Sequence, residues 1–67
     1  MIRCNLAEVL KATGRNLHEL HRETGIAYST LFNMARGKTA RYDGPTLDRI
    51  CAALGCTLGD ILEYVPD

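Results

Sequence analysis

Two histidines and two cysteines are the side chains of this chain best suited to metal binding or nucleophilic chemistry. His18 and His21 lie three residues apart, which places them on one face of a helix, and Cys51 and Cys56 lie five apart. Two imidazoles without a third ligand do not make a zinc site, and neither cysteine has a recognisable base partner. We expect His18 to be exposed and His21 to be half-buried. We therefore predict no catalytic residues, no metal site and no cofactor.

The cysteines do not form a disulfide framework either. Their number is odd, at Cys4, Cys51 and Cys56, and no two of them form a Cys-x-x-Cys pair. We expect all three to be buried thiols that pack as small apolar side chains.

Polar residues that cap helix N-termini and residues that end helices divide the chain into five predicted helices. The predicted caps are Asn5 (with Glu8), Asn16 (with Glu19), Asp43, and Thr57 (with Asp60), while Ala27 leaves the start of the third helix weakly capped. The predicted ends are Gly14, Gly25, Gly37, Gly55 and Pro66. The fifth helix is expected to carry Ile61, Leu62 and Val65. No segment alternates for long enough to require a strand, although residues 1–4 are able to extend. The predicted fold class is all-α, with five helices.

Residues 17–37 contain two short apolar-patterned segments that are joined at a glycine, Gly25. The apolar-face residues have helical spacing on both sides of it, at Leu17, Leu20, Thr24, Ile26, Leu31 and Met34. A helix that stops at a glycine and restarts three residues later cannot continue in line, so the second segment must cross the first steeply. This is the pattern of a helix-turn-helix, which presents its second helix to the DNA major groove.

The charges of the chain are distributed unevenly, although they sum to zero. Residues 1–42 carry seven basic and three acidic side chains, a net charge of +4, whereas residues 43–67 carry one basic and five acidic, a net charge of −4. A neutral protein with one basic face is able to meet phosphates with that face. Two mixed, solvated surfaces are the alternative.

The length of 67 residues predicts one domain over residues 1–67, with a thin core. A hydrophobic content of 46% and a charged content of 24% are typical of a soluble globular protein. No apolar run approaches the ~20 residues that span a bilayer, and no signal peptide is recognisable. We therefore expect a cytoplasmic location, no membrane contact and no small-molecule substrate.

The pattern around Gly25 resembles the helix-turn-helix of the phage Cro/repressor (XRE) family. The resemblance is carried by Leu20, Gly25, Ile26, Leu31 and Met34, followed by Arg36-Gly37-Lys38. Residues 46–56 and 59–66 are similar to the fourth and fifth helices of small single-domain members, so the likeness covers essentially the whole chain. It implies a lambda-repressor-like domain in which helices two and three form the helix-turn-helix. Two positions depart from the pattern: His21 replaces a usual alanine, and Ala27 replaces a usual serine cap.

In this family the outward positions of the third helix, about residues 28–35, read bases. The resemblance therefore implies a base-reading face of Tyr28, Ser29, Phe32 and Asn33. Asn33 suits adenine and Ser29 suits several base edges, while the rings of Tyr28 and Phe32 suit thymine methyl groups. Other roles stay open at this stage. Tyr28 and Phe32 are spaced to stack on each other, the Tyr28 hydroxyl suits a phosphate, Phe32 suits a protein contact, and Asn33 suits a solvated surface.

Phosphate contacts are expected around this face, where they supply affinity and register without sequence choice. The candidates are Asn16, His18, Thr30, Arg36, Lys38 and Arg41. The two at the start of the second helix would act together with its N-terminal amides. Asn16 is also the predicted cap of that helix, and a run of surface basic residues is often only solvated.

These features predict a sequence-specific, double-stranded-DNA-binding transcriptional regulator, a repressor, with no enzymatic activity. One small domain makes few base contacts, so we expect a homodimer on a two-fold symmetric operator with half-sites ~34 Å apart. Its interface would use Ile61, Leu62, Tyr64 and Val65, unless these residues are committed to the core. The alternative is a protein-interaction module, antitoxin-like or dimerising, in which the helix-turn-helix is structural. A metal or thiol enzyme is a third interpretation, which zinc analysis and thiol titration would test.

Overall fold

Five helices and two short strands make up the fold of the residues that the structure describes. The structure is a computed structural model that describes residues 1–38 and 42–66. The helices are α1 (Leu6–Thr13), α2 (Leu17–Thr24), α3 (Tyr28–Ala35), α4 (Gly44–Leu54) and α5 (Leu58–Ile61). The strands are β1 (Ile2–Cys4) and β2 (Leu62–Tyr64). The prediction of a five-helix, mostly helical domain is confirmed.

The helices around the turn begin and end where their capping residues predict. The Asn16 side-chain oxygen accepts the Glu19 backbone N–H at 2.9 Å and satisfies one of the free donors at the start of α2. Gly25 ends the same helix in the left-handed conformation, with φ 73°, which a residue with a Cβ rarely adopts. Ala27 provides no side-chain cap for α3, as predicted. The chain therefore makes its sharp change of direction between Thr24 and Tyr28.

The core draws one fully buried residue from every helix. Leu6, Leu20, Leu31, Ile50 and Ile61 each have a relative exposure of 0%. The other buried apolar side chains of the described residues are Leu10, Ile26, Met34 and Leu54. Since α1, α2 and α4 all contribute to this cluster, the buried face of α3 rests on a surface assembled from the whole domain. That surface fixes which face of α3 points outward.

The prediction that the fifth helix continues through Leu62 to Val65 is wrong. The helix ends at Ile61, and the next three residues form β2, which pairs antiparallel with β1 in the register Ile2↔Tyr64, Arg3↔Glu63 and Cys4↔Leu62. Leu62 already has extended dihedral angles, φ −115° and ψ 142°. The backbone groups that a helix would have paired locally instead pair with β1 from the far end of the chain. The expectation that residues 1–4 can extend is confirmed.

The predicted capping box at the start of α1 is also wrong. Asn5 stands at the N-cap position but makes no side-chain capping bond. Its side-chain Nδ2 donates to Glu63 Oε1 at 3.1 Å, and its backbone N–H donates to the Ile61 carbonyl at 2.6 Å. Because Glu63 of β2 lies beside it, the Asn5 side chain links the start of α1 to β2 and does not bond the backbone N–H groups of α1.

The cap of α4 allows a prediction of how stability depends on pH. Thr46 donates to the Asp43 carboxylate from its side chain and its backbone, and this holds the pKa of Asp43 below its ordinary value of 3.8. We expect Asp43→Ala to lower the melting temperature at pH 7 by about 5 °C. A carboxylate with a lowered folded pKa stabilises the fold above its unfolded pKa and loses that effect as the pH falls through the folded pKa. Thermal melts of the unmodified chain and of Asp43→Ala should therefore converge as the pH falls through the folded pKa of Asp43, which lies below 3.8.

The matched control is Asp48→Ala, which removes the same charge from the exposed surface of the same helix. If both alanine variants lose the same melting temperature at pH 7, the cap does not stabilise α4.

Candidate nucleic-acid interface

Two side chains of α2 hold the turn between α2 and α3. The Ile26 backbone N–H donates to Thr24 Oγ1 at 3.2 Å, and the Thr24 hydroxyl itself donates to the Leu20 carbonyl at 2.7 Å. The Ile26 carbonyl accepts a bond from His21 Nδ1 at 2.6 Å. Both backbone polar groups of this buried turn residue are thus satisfied by the preceding helix, as buried backbone groups require. The turn fixes the start of α3 relative to α2.

His21 is one of the two positions that depart from the Cro/repressor pattern, and the structure shows what it does there. Its ring is half-buried and lies beside the turn, where it binds the Ile26 carbonyl. This hydrogen bond was not predicted from the sequence. The only indication of it in the sequence was the imidazole of His21, at a position where the Cro/repressor pattern has a small side chain.

The outward face of α3 carries the four side chains that were predicted to lie there, and Thr30 at its edge is exposed as well. Leu31 and Met34 are buried. The exposed residues of the helix are Tyr28, Ser29, Thr30, Phe32 and Asn33. Tyr28 and Phe32 remain 42% and 40% exposed although they are large and apolar. The face therefore offers two aromatic rings, several hydroxyl groups and a carboxamide, on a helix whose other face packs into the core.

The large side chains of this face form a stack along the helix. The rings of Tyr28 and Phe32 are 6.2 Å apart with an interplanar angle of 20°, and the Arg36 guanidinium carbon lies 5.2 Å above the Phe32 ring centre. Such stacking and cation–π contacts favour a single arrangement of long side chains. Tyr28 and Phe32 therefore stack on each other, which is one of the arrangements that their spacing allowed. We call Tyr28, Phe32 and Arg36 the α3 ladder.

Two histidines of α2 pack against Tyr28, the first residue of the α3 ladder. The rings of His18 and His21 meet the Tyr28 ring edge-on, at centroid distances of 6.0 Å and 6.3 Å. Edge-to-face contact is a favourable arrangement for aromatic rings. His18 is exposed and His21 is half-buried, as predicted. The ladder is thereby continuous with the exposed start of α2.

Of the predicted phosphate-contacting residues, His18 lies beside the start of α3, and Arg36 and Lys38 follow its end. Arg36 and Lys38 are exposed just beyond α3, and the Lys38 backbone N–H donates to the Asn33 carbonyl at 2.9 Å. The Asn16 side-chain oxygen is used by the cap of α2, so a phosphate contact from this residue must use its amide nitrogen. Arg41 lies outside the described residues. Thus α3 is flanked by exposed cations at its end and by His18 beside its start.

Comparison with known proteins agrees with this geometry. The model of the Cro/C1-type HTH DNA-binding domain family matches residues 5–67, which include the turn, α3 and both C-terminal helices. The chain belongs to this family. The chain is also similar to the uncharacterised HTH-type transcriptional regulator YozG of Bacillus subtilis (strain 168), at 36% identity over 63 residues, which cover 94% of this chain and 75% of that relative. No solved structure gives a significant match.

Ion pairs occupy two of the arginines that make the first part of this Cro/C1-type domain basic. Arg15 pairs with Glu23, whose carboxylate raises the pKa of the guanidinium, and Arg3 Nη1 lies 3.8 Å from Glu63 Oε1. The guanidinium of Arg36 instead rests on an aromatic ring and keeps its charge available. Carboxylates therefore offset the charges of Arg3 and Arg15, whereas the exposed Arg36 at the end of α3 lies against a neutral ring.

The cysteines of this Cro/C1-type domain are half-buried thiols rather than the buried ones that were predicted. They lie at the edge of the core, where their side chains pack against it without being enclosed. Burial and the neighbouring Cys51 raise the pKa of the Cys56 thiol, and burial raises the pKa of Cys4. Both thiols are therefore protonated at neutral pH, the less reactive state.

The described residues contain no group of three or more His, Cys, Asp or Glu side chains that could hold a metal ion. None of the helices in this part of the chain is long and apolar enough to cross a membrane.

Proposed function

We propose that residues 1–67 act as one DNA-binding domain and that the chain is a sequence-specific transcriptional regulator that places α3 in the major groove. The observation that carries the proposal is the exposed α3 ladder, with Asn33 beside it and cations at the end of the same helix. The similarity to an HTH-type transcriptional regulator supports it. The domain acts without catalysis or a cofactor, in the cytoplasm, where it reaches double-stranded DNA.

Bases are read by the polar and aromatic groups of the exposed face. The Asn33 carboxamide donates to and accepts from the edge of an adenine, and the Ser29 hydroxyl bonds a neighbouring base edge. The rings of Tyr28 and Phe32 contact thymine methyl groups, which project into the major groove. Because these rings are stacked before DNA arrives, little side-chain freedom is lost on binding.

Phosphates are contacted on both sides of that face. Beyond the end of α3, the DNA phosphates are contacted by Arg36, Lys38 and Arg41. At the edge of the helix, Thr30 contacts a further phosphate of the DNA. On the other side, the Asn16 amide and His18 meet a phosphate together with the N-terminal amides of α2. These contacts set affinity and register, and the α3 face sets the sequence.

The regulator acts as a homodimer and as a repressor. A single α3 reaches few base pairs, so two copies on a two-fold symmetric operator, with half-sites ~34 Å apart, supply the missing specificity. A bound dimer blocks the operator by occupying it, which requires no further surface of the protein.

Selection of bound duplexes from a random pool tests the proposal. We expect an enriched sequence with two symmetric half-sites, and retardation of that duplex in a gel that weakens steeply as salt rises. Phe32→Ala should reduce binding to this duplex by about tenfold to a hundredfold. Ala52→Ser, an exposed change on α4, is the control and should bind as the unmodified chain does. Absence of binding to every duplex at low salt would contradict the proposal.

A protein-interaction module is the second candidate, and the exposure of Tyr28 and Phe32 together with a net charge of zero favours it. In that case a partner protein binds the α3 ladder through Phe32, and no duplex is retained at low salt. Enrichment of a palindromic duplex would exclude this role as the main one.

A further inference from the structure

Cys51 and Cys56 meet at the end of α4, a helix that carries none of the residues to which DNA binding is assigned above. The Cys56 thiol has the Cys51 side chain as a hydrogen-bond partner. Both side chains are half-buried, and both pack against the core without being enclosed by it. The third cysteine, Cys4, lies on β1 opposite Leu62. We call Cys51 and Cys56 the α4 thiol pair.

The backbone turn that ends α4 explains why the two thiols meet. Gly55 ends the helix in the left-handed conformation, with φ 64°, and its N–H donates to the Cys51 carbonyl. The Cys56 N–H donates to the same carbonyl at 3.2 Å. A helix end of this kind brings the side chains of its first and last residues into contact. The position of the α4 thiol pair is thus set by the backbone.

The end of α1 shows that this turn does not require sulfur. Beyond Gly14, the Arg15 N–H donates to the Leu10 carbonyl at 2.9 Å, which is the same arrangement with a leucine and an arginine at the facing positions. Apolar contact between the two side chains is the usual role of these positions. Two thiols at the end of α4 supply that contact and add a chemistry that leucine and arginine lack.

We propose that the α4 thiol pair is a modification site at which hydroperoxides form a reversible disulfide across the end of α4. A disulfide joins residues whose Cα atoms lie ~4.4–6.8 Å apart, and two residues that share a backbone hydrogen bond have about this separation. Disulfides inside cells are usually transient and respond to oxidants, which suits a bond that a reductant reopens. The proposal does not depend on whether the chain binds DNA.

Small solutes are able to reach the α4 thiol pair from two sides. Cys56 lines an open cleft of about 430 Å³ together with Val9 and Leu54. Cys51 lines another open cleft, of about 280 Å³, together with Leu47. Because each sulfur borders open space, a small peroxide is able to approach either thiol without any rearrangement of the core.

The reaction consumes one hydroperoxide and both thiols. One thiol, as its thiolate, attacks an oxygen of the peroxide, the O–O bond breaks, and an alcohol or water leaves. The sulfenic acid that results is attacked by the sulfur of the second thiol. The S–S bond forms, and the hydroxyl group leaves as water with the proton of the second thiol. Two electrons pass from the pair to the peroxide, and a dithiol reductant returns them by exchange.

The contact between the two sulfurs determines which oxidation product accumulates. Burial and, to a lesser degree, Cys51 raise the pKa of the Cys56 thiol, so a small thiolate fraction makes the first step slow at neutral pH. The second step takes place between groups that already touch, and such intramolecular steps are strongly favoured. The disulfide should therefore form before a second peroxide converts the sulfenic acid to sulfinic acid.

Peroxide treatment of the folded full chain tests the proposal. The reduced chain is treated with stoichiometric hydrogen peroxide, alkylated with iodoacetamide and digested with trypsin, which releases Cys4 in residues 4–11 and the α4 thiol pair in residues 50–67. We expect residues 50–67 to lose two hydrogen atoms and to carry no alkyl group, whereas residues 4–11 are alkylated. Dithiothreitol should make both cysteines of the pair available to alkylation again.

Cys4→Ala is the matched control, because it removes a half-buried thiol that also packs against the core. It should form the disulfide as the unmodified chain does, whereas Cys51→Ala and Cys56→Ala should form no intramolecular disulfide. Circular dichroism checks that the variants fold. Alkylation of both Cys51 and Cys56 after peroxide treatment, a sulfinic acid in place of the disulfide, or a bond that links two chains would each overturn the proposal.

Thermal melting tests whether the bond fits the native turn. A disulfide between side chains that already touch restricts the unfolded chain and leaves the folded one undistorted, so the oxidised chain should melt about 5 °C higher than the reduced one. Cys51→Ala given the same treatment should show no such rise, and it controls for oxidation of the methionines. A melting temperature that falls when the disulfide forms would mean that the bond distorts the turn, and the assignment of the site would then be wrong.

Discussion

Leu31→Ala is expected to lower the free energy of unfolding by about 3 kcal/mol, the usual result of removing a fully buried leucine side chain and leaving part of its volume empty. Leu31 has a relative exposure of 0% and joins the helix proposed to read DNA to the common core. A domain of this length has a total stability of roughly 3–10 kcal/mol. The melting temperature should therefore fall by roughly 15 °C, and the folded population at growth temperature should drop with it.

Urea unfolding followed by circular dichroism measures the loss, with Thr30→Ala as the control. Thr30 is the exposed neighbour of Leu31 on the same helix, so its removal should change the free energy of unfolding by less than about 0.5 kcal/mol. Similar losses for the two variants would mean that α3 is not anchored through Leu31.

The parts of the fold that follow from neighbouring residues could be predicted from the sequence. The Asn16 side chain binds the Glu19 N–H, and Asp43 binds the Thr46 N–H. Both bonds join residues three apart in the chain, so they depend only on the local sequence and not on the rest of the fold. The glycine ends of α1, α2 and α4 follow for the same reason, because the requirement for a positive φ belongs to a single residue.

The parts that depend on distant residues could not be predicted. Ile61, Leu62 and Val65 have spacings that fit a helix, and only pairing with residues some sixty positions earlier makes β2 a strand. The side chain of Asn5 likewise had two partners available, the N–H groups of its own helix and the carboxylate of Glu63. The second is created by the fold, so the capping pattern at Asn5 indicated the wrong partner.

In the candidate site, too, features within one helix could be predicted from the sequence and contacts between helices could not. A period of 3.6 residues is sufficient to place Leu31 and Met34 inward and Asn33 outward. The contact between Phe32 and Arg36 could have been predicted from their spacing of four, which places two side chains side by side on a helix. The edge-on contacts of His18 and His21 with Tyr28 could not, because they depend on the angle between α2 and α3.

Arg36→Ala and Asn33→Ala are expected to weaken DNA binding in two different ways. Arg36→Ala removes a proposed phosphate contact and the cation above Phe32, so affinity should fall about tenfold for all duplexes at low salt. The slope of log affinity against log salt should become shallower by about 0.9. Asn33→Ala removes a neutral group that reads a base, so the selected duplex should lose about 1–3 kcal/mol of affinity while the slope stays unchanged.

The comparison of the two variants separates charge from sequence reading, because Asn33 on α3 and Arg36 just beyond its end are both exposed and differ in charge. Fluorescence anisotropy at several salt concentrations, on the selected duplex and on a scrambled one, measures both quantities. Asn33→Ala should reduce the preference for the selected duplex, and Arg36→Ala should preserve it. If Asn33→Ala weakens both duplexes equally, Asn33 is solvated surface, and base reading must come from Ser29, Tyr28 and Phe32 alone. If Arg36→Ala leaves the slope unchanged, its guanidinium stays on the Phe32 ring and the other cations, Lys38 and Arg41, hold the phosphates.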